Sequence, residues 1–242
     1  MKLLLDQKAD VNASRHTGAT PLYIAAQNGH AEVVKLLLNY KPEVNTSRHT
    51  GGVTPLYVSA ENGQVEVAKL LLVHKADVNA RRHADGATPL YVSAQNGHME
   101  LVKLLLDHKA DENASTHTDG ATPLYIAAQN GDTKVVKLLL NHKADVNASR
   151  HIDGVTPLYI AAKNGHIEIV KLLLDNNVDV NTSRKKDSAT PLYAAAHNGH
   201  TEVVKRLLYN KADANASCVP YGDKPIDAAR RNHYLDIVKL LQ

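Results

Sequence analysis

Thr122-Pro123-Leu124-Tyr125-Ile126-Ala127-Ala128-Gln129-Asn130-Gly131, followed by the apolar run Val135 to Leu140, decides the fold of this chain. Its opening, T-P-L-Y, also begins at Thr20, Thr54, Thr88, Thr156 and Thr190, with a constant step of 34 residues. A seventh copy falls due at Lys224, where Lys224-Pro225-Ile226-Asp227 stands in a degenerate form. A fixed period in this range means a repeat array, and it overrides any fold expectation drawn from length. The 242 residues therefore count repeats and not independent globular domains.

One repeat, Ala110 to Lys143, gives the grammar of the others. Ser115 to Gly120 is polar and ends in an Asp-Gly pair, which is turn chemistry. Thr122 is placed to cap a helix, and Pro123 at the first helical position lacks only an N–H that had no partner anyway. Leu124, Ala127 and Ala128 fall at i, i+3 and i+4, so a short first helix buries one stripe, and its alanines allow close approach. Asn130-Gly131 ends it, glycine taking positive φ at little cost. The second helix, about Thr133 to Asn141, carries Val135, Leu138 and Leu139 on one stripe and Val136 and Leu140 on another. Helices this short are marginal alone in water. Their stability must come from stacking, each repeat covering the leucines of its neighbour.

The shared pattern T-P-L-x-x-A-A-x-N-G-H-x-E-V-V-K-L-L-L-x-x-x-A-D-V-N-A resembles the ankyrin repeat over essentially the whole chain. The resemblance implies an all-α solenoid of stacked helix-turn-helix units with projecting β-turn fingers. It also implies that other proteins bind the concave surface of fingers and first helices. Three departures stand out. The fingers carry one extra residue, as between Ala114 and Thr122, and the family's T-P-L-H is T-P-L-Y here. The glycine expected after the second helix is Lys8, Lys41, Lys75, Lys109, Lys143, Asn177 and Lys211, which predicts left-handed backbone at non-glycine residues. Ser188 stands for the finger glycine in one further place.

Residues 1–13 align with the end of a repeat whose first helix is missing, so the chain is expected to be a piece of a longer array. Residues 14–216 hold six ankyrin-like repeats. In 217–242, Asp227, Arg230 and His233 put polar groups where other repeats are apolar or glycine, the mark of a C-terminal cap. The composition is 43% hydrophobic and 22% charged, and the net charge of +3 is too small to argue by itself for nucleic acid or membrane. Cys218 is the single cysteine, which excludes an internal disulfide and favours a reducing, cytoplasmic setting. No apolar run approaches membrane-spanning length.

Fourteen histidines invite a metal reading. Most fall in three periodic columns, and repeats stacked at about 8–10 Å hold imidazoles too far apart to share a zinc ion with bonds of about 2.0–2.1 Å. No cofactor is called for. The finger-tip column His16, His49, His83, His117 and His151 instead joins Arg15, Arg48, Arg82, Arg150 and Arg184, with Lys185, into a basic ribbon. That ribbon reads as an edge for an acidic or extended protein segment, or as a relic of duplication. A helix-facing column varies: Gln27, Glu61, Gln95, Gln129, Lys163, His197. Divergence inside a uniform array is where partner choice would be written, and the drift from neutral or acidic to basic favours an acidic partner toward the C-terminal half. The recurrent Asn12, Asn45, Asn79, Asn113, Asn147, Asn181 and Asn215 read as turn-bridging amides. The family resemblance also makes them candidates for hydroxylation.

Catalysis finds no support, for there is no phosphate loop, H-E-x-x-H or nucleophile elbow. The expected function is a non-catalytic, monomeric scaffold that binds another protein. Polyanion or nucleic-acid binding through the ribbon is the alternative from a different class, with a structural spacer as a third. The lack of finger-tip aromatics for base stacking counts against nucleic acid.

Overall fold

Six times in this chain a threonine hydroxyl accepts the backbone N–H of the tyrosine three residues on, with proline at the first helical position, and a short helix begins. The structure, a computed structural model, describes residues 2–48 and 51–242. It divides into two compact units, 1–118 and 119–242.

The N-terminal unit holds α1 (Lys2–Asp6), α2 (Pro21–Gln27), α3 (Ala31–Leu38), α4 (Pro55–Glu61), α5 (Val65–Val73), α6 (Pro89–Gln95) and α7 (Met99–Asp107). Each first helix packs on the second helix of its own repeat, α2 on α3, α4 on α5 and α6 on α7. First helices also pack on first helices, α2–α4–α6, and second on second, α3–α5–α7. The C-terminal unit repeats the arrangement with α8 (Pro123–Asn130), α9 (Thr133–Asn141), α10 (Pro157–Asn164), α11 (Ile167–Leu174), α12 (Pro191–His197), α13 (Thr201–Tyr209), α14 (Pro225–Arg231) and α15 (Leu235–Leu240). There the two rows are α8–α10–α12–α14 and α9–α11–α13–α15. Among the described residues there is no strand, only an isolated antiparallel bridge between Cys218 and Asp223. Each unit is thus an all-α stack of helix pairs.

The core follows the two stripes. Leu124, Ala127 and Ala128 are buried, as are Val135, Val136 and Leu139, while Leu138 and Leu140 remain half-buried. The second stripe of α9 is therefore only partly covered.

The left-handed backbone expected after each second helix is present at Lys8, Lys41, Lys75, Lys109, Lys143, Asn177 and Lys211, with φ between 53° and 66°. At Lys143 the cause is visible. Its N–H donates to the Leu140 carbonyl and the Ala144 N–H to the Leu139 carbonyl, a Schellman closure that needs positive φ at the residue between. The Lys143 side chain is exposed. Replacing it with Gly relieves the left-handed cost of about 1–2 kcal/mol and adds up to about 1 kcal/mol of chain entropy to lose. Lys143→Gly is therefore expected to gain roughly 0.5–1 kcal/mol in urea unfolding; a loss would show that the lysine side chain has a structural partner.

Candidate functional site

The fingers are built before any side chain is considered. In the N-terminal unit, the backbone N–H of His83 donates to the Gly51 carbonyl and that of His117 to the Asp85 carbonyl. In the C-terminal unit, His151 donates to Asp119, Lys185 to Asp153 and Val219 to Asp187. Successive fingers are thus laced backbone to backbone. The imidazoles of His83, His117 and His151 also lie over the glycine of the preceding finger, Gly52, Gly86 and Gly120. The finger histidines are exposed at their outer edges yet packed beneath, a role their column alone did not reveal.

The arginines are engaged more fully. Arg82 pairs with Asp85 and lies over the Tyr57 ring, 5.4 Å from its centroid. Arg150 reaches Asp119 at 3.4 Å and Asp153 at 3.1 Å, lies 5.3 Å from the Tyr125 centroid, and donates to the Tyr125 hydroxyl at 3.3 Å. Arg184 pairs with Asp187 and covers Tyr159 at 5.7 Å. The sequence carried the signal twice over. An aspartate follows each of these arginines by three residues, and a tyrosine precedes each by 25. Reading the aspartate only as turn chemistry hid the pair. Arg15 is exposed, Arg48 is half-buried, and His49 lies outside the described residues. His16 is exposed at its own finger tip. Thr116, which interrupts the ribbon, is buried.

The tyrosines that replace the family's histidine do not form an open row. Tyr23, Tyr57, Tyr91, Tyr125 and Tyr159 are buried, and only Tyr193 is half-buried. Burial pushes the Tyr159 phenol up to about 12, although the Arg184 charge works against it. The Tyr57 hydroxyl is buried with no hydrogen-bond partner among the described residues, whereas that of Tyr125 accepts from Arg150. An unsatisfied buried hydroxyl is costly, so Tyr57→Phe is expected to be neutral or to stabilise by up to about 1 kcal/mol, and Tyr125→Phe to lose about 0.5–1.5 kcal/mol. Equal effects in chemical unfolding would contradict the difference between the two sites.

The finger ion pairs also set a pH response. The hydrogen bond from Arg184 holds the Asp187 carboxyl below its usual range, helped by the Ala189 N–H, and Arg82 does the same for Asp85. A carboxylate whose folded pKa is depressed contributes stability above its unfolded value, near pH 4, and that contribution is lost as pH falls through the folded value. Asp187→Asn is expected to lose less stability than the parent between pH 5 and pH 3; parallel acid curves would exclude the pair as a contributor.

The other columns resolve into structure. The ring nitrogens of His98, His166 and His200 contact the carbonyls of Glu61, Gln129 and Lys163 in the preceding repeat, at 3.2, 3.2 and 2.9 Å. His74, His108 and His142 turn back on the carbonyls of Leu70, Leu104 and Leu138 in their own helices. No group of three His, Cys, Asp or Glu among the described residues could hold a metal ion. Asn12, Asn45, Asn79, Asn147 and Asn181 accept, through the side-chain oxygen, the backbone N–H of Glu43, Asp77, Asp111, Asp179 and Asp213 in the next repeat. These amides bridge repeats as well as turns.

That leaves the varying column. Gln27, Gln95, Lys163 and His197 are exposed, and Glu61 and Gln129 are half-buried. Their backbone carbonyls carry the structural load. Gln27 accepts from Asn62 at 3.3 Å, Glu61 from Asn96 at 2.9 Å and Gln129 from Asn164 at 3.0 Å. Beside this column in the C-terminal unit is a cleft of about 390 Å³, walled by Tyr125, Arg150, Asp153 and Tyr159 and bordered by Gln129 and Lys163.

Paired helices stacked in register, with laced turns beside their first helices, define a helical-repeat protein. The family model described as ankyrin repeats in three copies matches residues 1–82, 80–150, 110–184 and 158–242. The chain belongs to the ankyrin-repeat family. Ankyrin repeats are generally protein–protein interaction modules and typically non-enzymatic scaffolds. A comparison with curated proteins finds no match. No helix among the described residues is long and apolar enough to cross a membrane.

Proposed function

We propose that this chain is a non-catalytic binding module that takes a protein partner on its fingers and first helices. One observation carries the reading. At Gln27, Glu61, Gln129 and Lys163 it is the backbone carbonyl that holds the next repeat, so that contact does not depend on which side chain stands there and the column can differ. Elsewhere the periodic side chains are consumed: threonines cap, leucines fill the core, asparagines bridge, and Arg82, Arg150 and Arg184 cover tyrosines. Partner choice therefore rests on the varying column, with Arg15, His16, Lys185 and the outer edges of His83, His117 and His151 as flanking contacts.

The polyanion alternative needs a row of available arginines, because the guanidinium fork is the best phosphate ligand among side chains. Three of those arginines are already committed to aspartates. A phosphate-driven contact would lose about 10³-fold or more in affinity between 50 and 200 mM salt. The protein-binding reading is tested by affinity capture with the intact chain, a Gln129→Glu/Lys163→Glu variant and a second-helix control, Lys134→Glu. A set of proteins held by the parent and the control but lost from the variant is expected. Identical captured sets from all three would overturn the reading.

A further inference from the structure

The C-terminal unit has an uneven charge distribution on its finger and first-helix side. Five carboxylates there are occupied by arginines: Asp119 and Asp153 by Arg150, Asp187 by Arg184, Asp223 by Arg231 and Asp227 by Arg230. Lys163 and Lys185 pair with no carboxylate among the described residues, and Lys186 forms no ion pair there, although its charge acts on Asp187. The Lys185 ammonium donates to the His151 carbonyl, and its stem packs over Gly154. Lys163 and Lys186 are exposed. Beside these pairs, the positive charge that no arginine–aspartate pair takes up is carried by lysines.

The aromatic pattern breaks at the same end. Tyr57, Tyr125 and Tyr159 are each covered by the arginine of the following finger. The residue in that position after Tyr193 is Cys218, which is buried and too short to reach over a ring. Tyr193 is left half-buried and stacks with His197, their ring centroids 6.2 Å apart and inclined by 28°. The half-buried ring offers an aromatic face on which an apolar side chain can pack. On the last finger, Val219 and Tyr221 are 55% and 86% exposed, and on the Arg150 finger Ile152 is 54% exposed, so apolar surface accompanies the lysines on this side.

We propose that the C-terminal unit binds an acidic, extended protein segment carrying an aromatic or aliphatic residue. Its carboxylates meet Lys163 beside the cleft and Lys186 on the finger, and its apolar residue lies on the Tyr193–His197 stack. This rests on the protein-binding reading and adds the chemistry of the partner and the set of side chains that reads it. Arg150 and Arg184 shape the cleft wall and are not the anion-reading groups.

The test is selection of a random peptide display library on the intact chain, followed by titration of a selected sequence as a synthetic peptide with a single tryptophan. The chain itself contains no tryptophan, so the emission reports on the peptide alone. Enrichment of Asp/Glu residues flanking an aromatic or aliphatic residue is expected, with affinity lowered tenfold or more by Lys163→Glu and unchanged by Lys134→Glu. Tyr193→Ala should weaken binding severalfold, with circular dichroism confirming the fold. Lys163→Glu changes only an exposed side chain and keeps the test decisive if Tyr193→Ala fails to fold. Enriched peptides that are not acidic, or that ignore Lys163→Glu, would overturn this inference and leave the broader reading standing. Failure to enrich any peptide would also overturn it, and the broader reading would fall only if the capture experiment failed as well. A single-stranded oligonucleotide that binds as tightly as the peptide at 150 mM salt would replace the protein segment as occupant.

Discussion

Gly120→Val is expected to remove about 2–5 kcal/mol of stability. Gly120 has φ of 80°, where a side chain costs about 1–2 kcal/mol and a β-branched one is a marked outlier. A Cβ there would also stand 2.7 Å from the His151 backbone nitrogen and 2.7 Å from a carbon of its ring. That nitrogen donates to Asp119 and laces the two fingers, so the backbone cannot yield without losing the hydrogen bond. Overpacking of this kind adds about 1–3 kcal/mol. Gly222→Val is the internal control. It shares the left-handed backbone, φ 69°, but has nothing within 4 Å of the added Cβ, and should lose only the conformational part. Equal losses in urea unfolding would show that the His151 contact does not matter.

Arg150→Ala is expected to lower stability by about 1–3 kcal/mol, less than a fully buried ion pair because its partners remain partly solvated. The side chain is 20% exposed and serves Asp119, Asp153, the Tyr125 hydroxyl and the Tyr125 ring. The ring contact alone is worth about 0.5–2 kcal/mol when desolvated. Truncation also leaves two carboxylates half-buried without their cation. The same substitution at an exposed finger lysine should cost little.

Much of this was legible in the sequence because it depends on local chemistry repeated seven times. Thr caps, Pro starts the helix, Leu and Ala pack, and positive φ falls where the period placed it. These features need only residue type and spacing within one repeat. What sequence reasoning missed lies between repeats. The Arg150–Tyr125 contact joins a finger to the preceding first helix, so the constant 25-residue spacing shows in sequence that the two recur together but not that they touch. A column of arginines looks the same on paper whether it faces solvent or covers a ring. Tyr193 shows the converse. Its T-P-L-Y matches the other copies, yet it is half-buried, and the lack of an arginine 25 residues later is not the whole cause, because Tyr91, followed at that distance by Thr116, is buried. The lysines at 163 and 186 stood in plain view, but their availability becomes meaningful only once the nearby aspartates are seen to be taken.

On the reading proposed above, the finger arginines serve the fold, and Lys163 on α10 and Lys186 on its finger serve the partner. Two double variants of the intact chain remove the same charge from neighbouring positions: Arg150→Ala/Arg184→Ala and Lys163→Ala/Lys186→Ala. Their urea unfolding midpoints, measured side by side against the parent, separate the two roles. A clear drop is expected for the arginine pair and a midpoint within error of the parent for the lysine pair. Equal midpoints for the two variants, or a larger drop for the lysines, would contradict it.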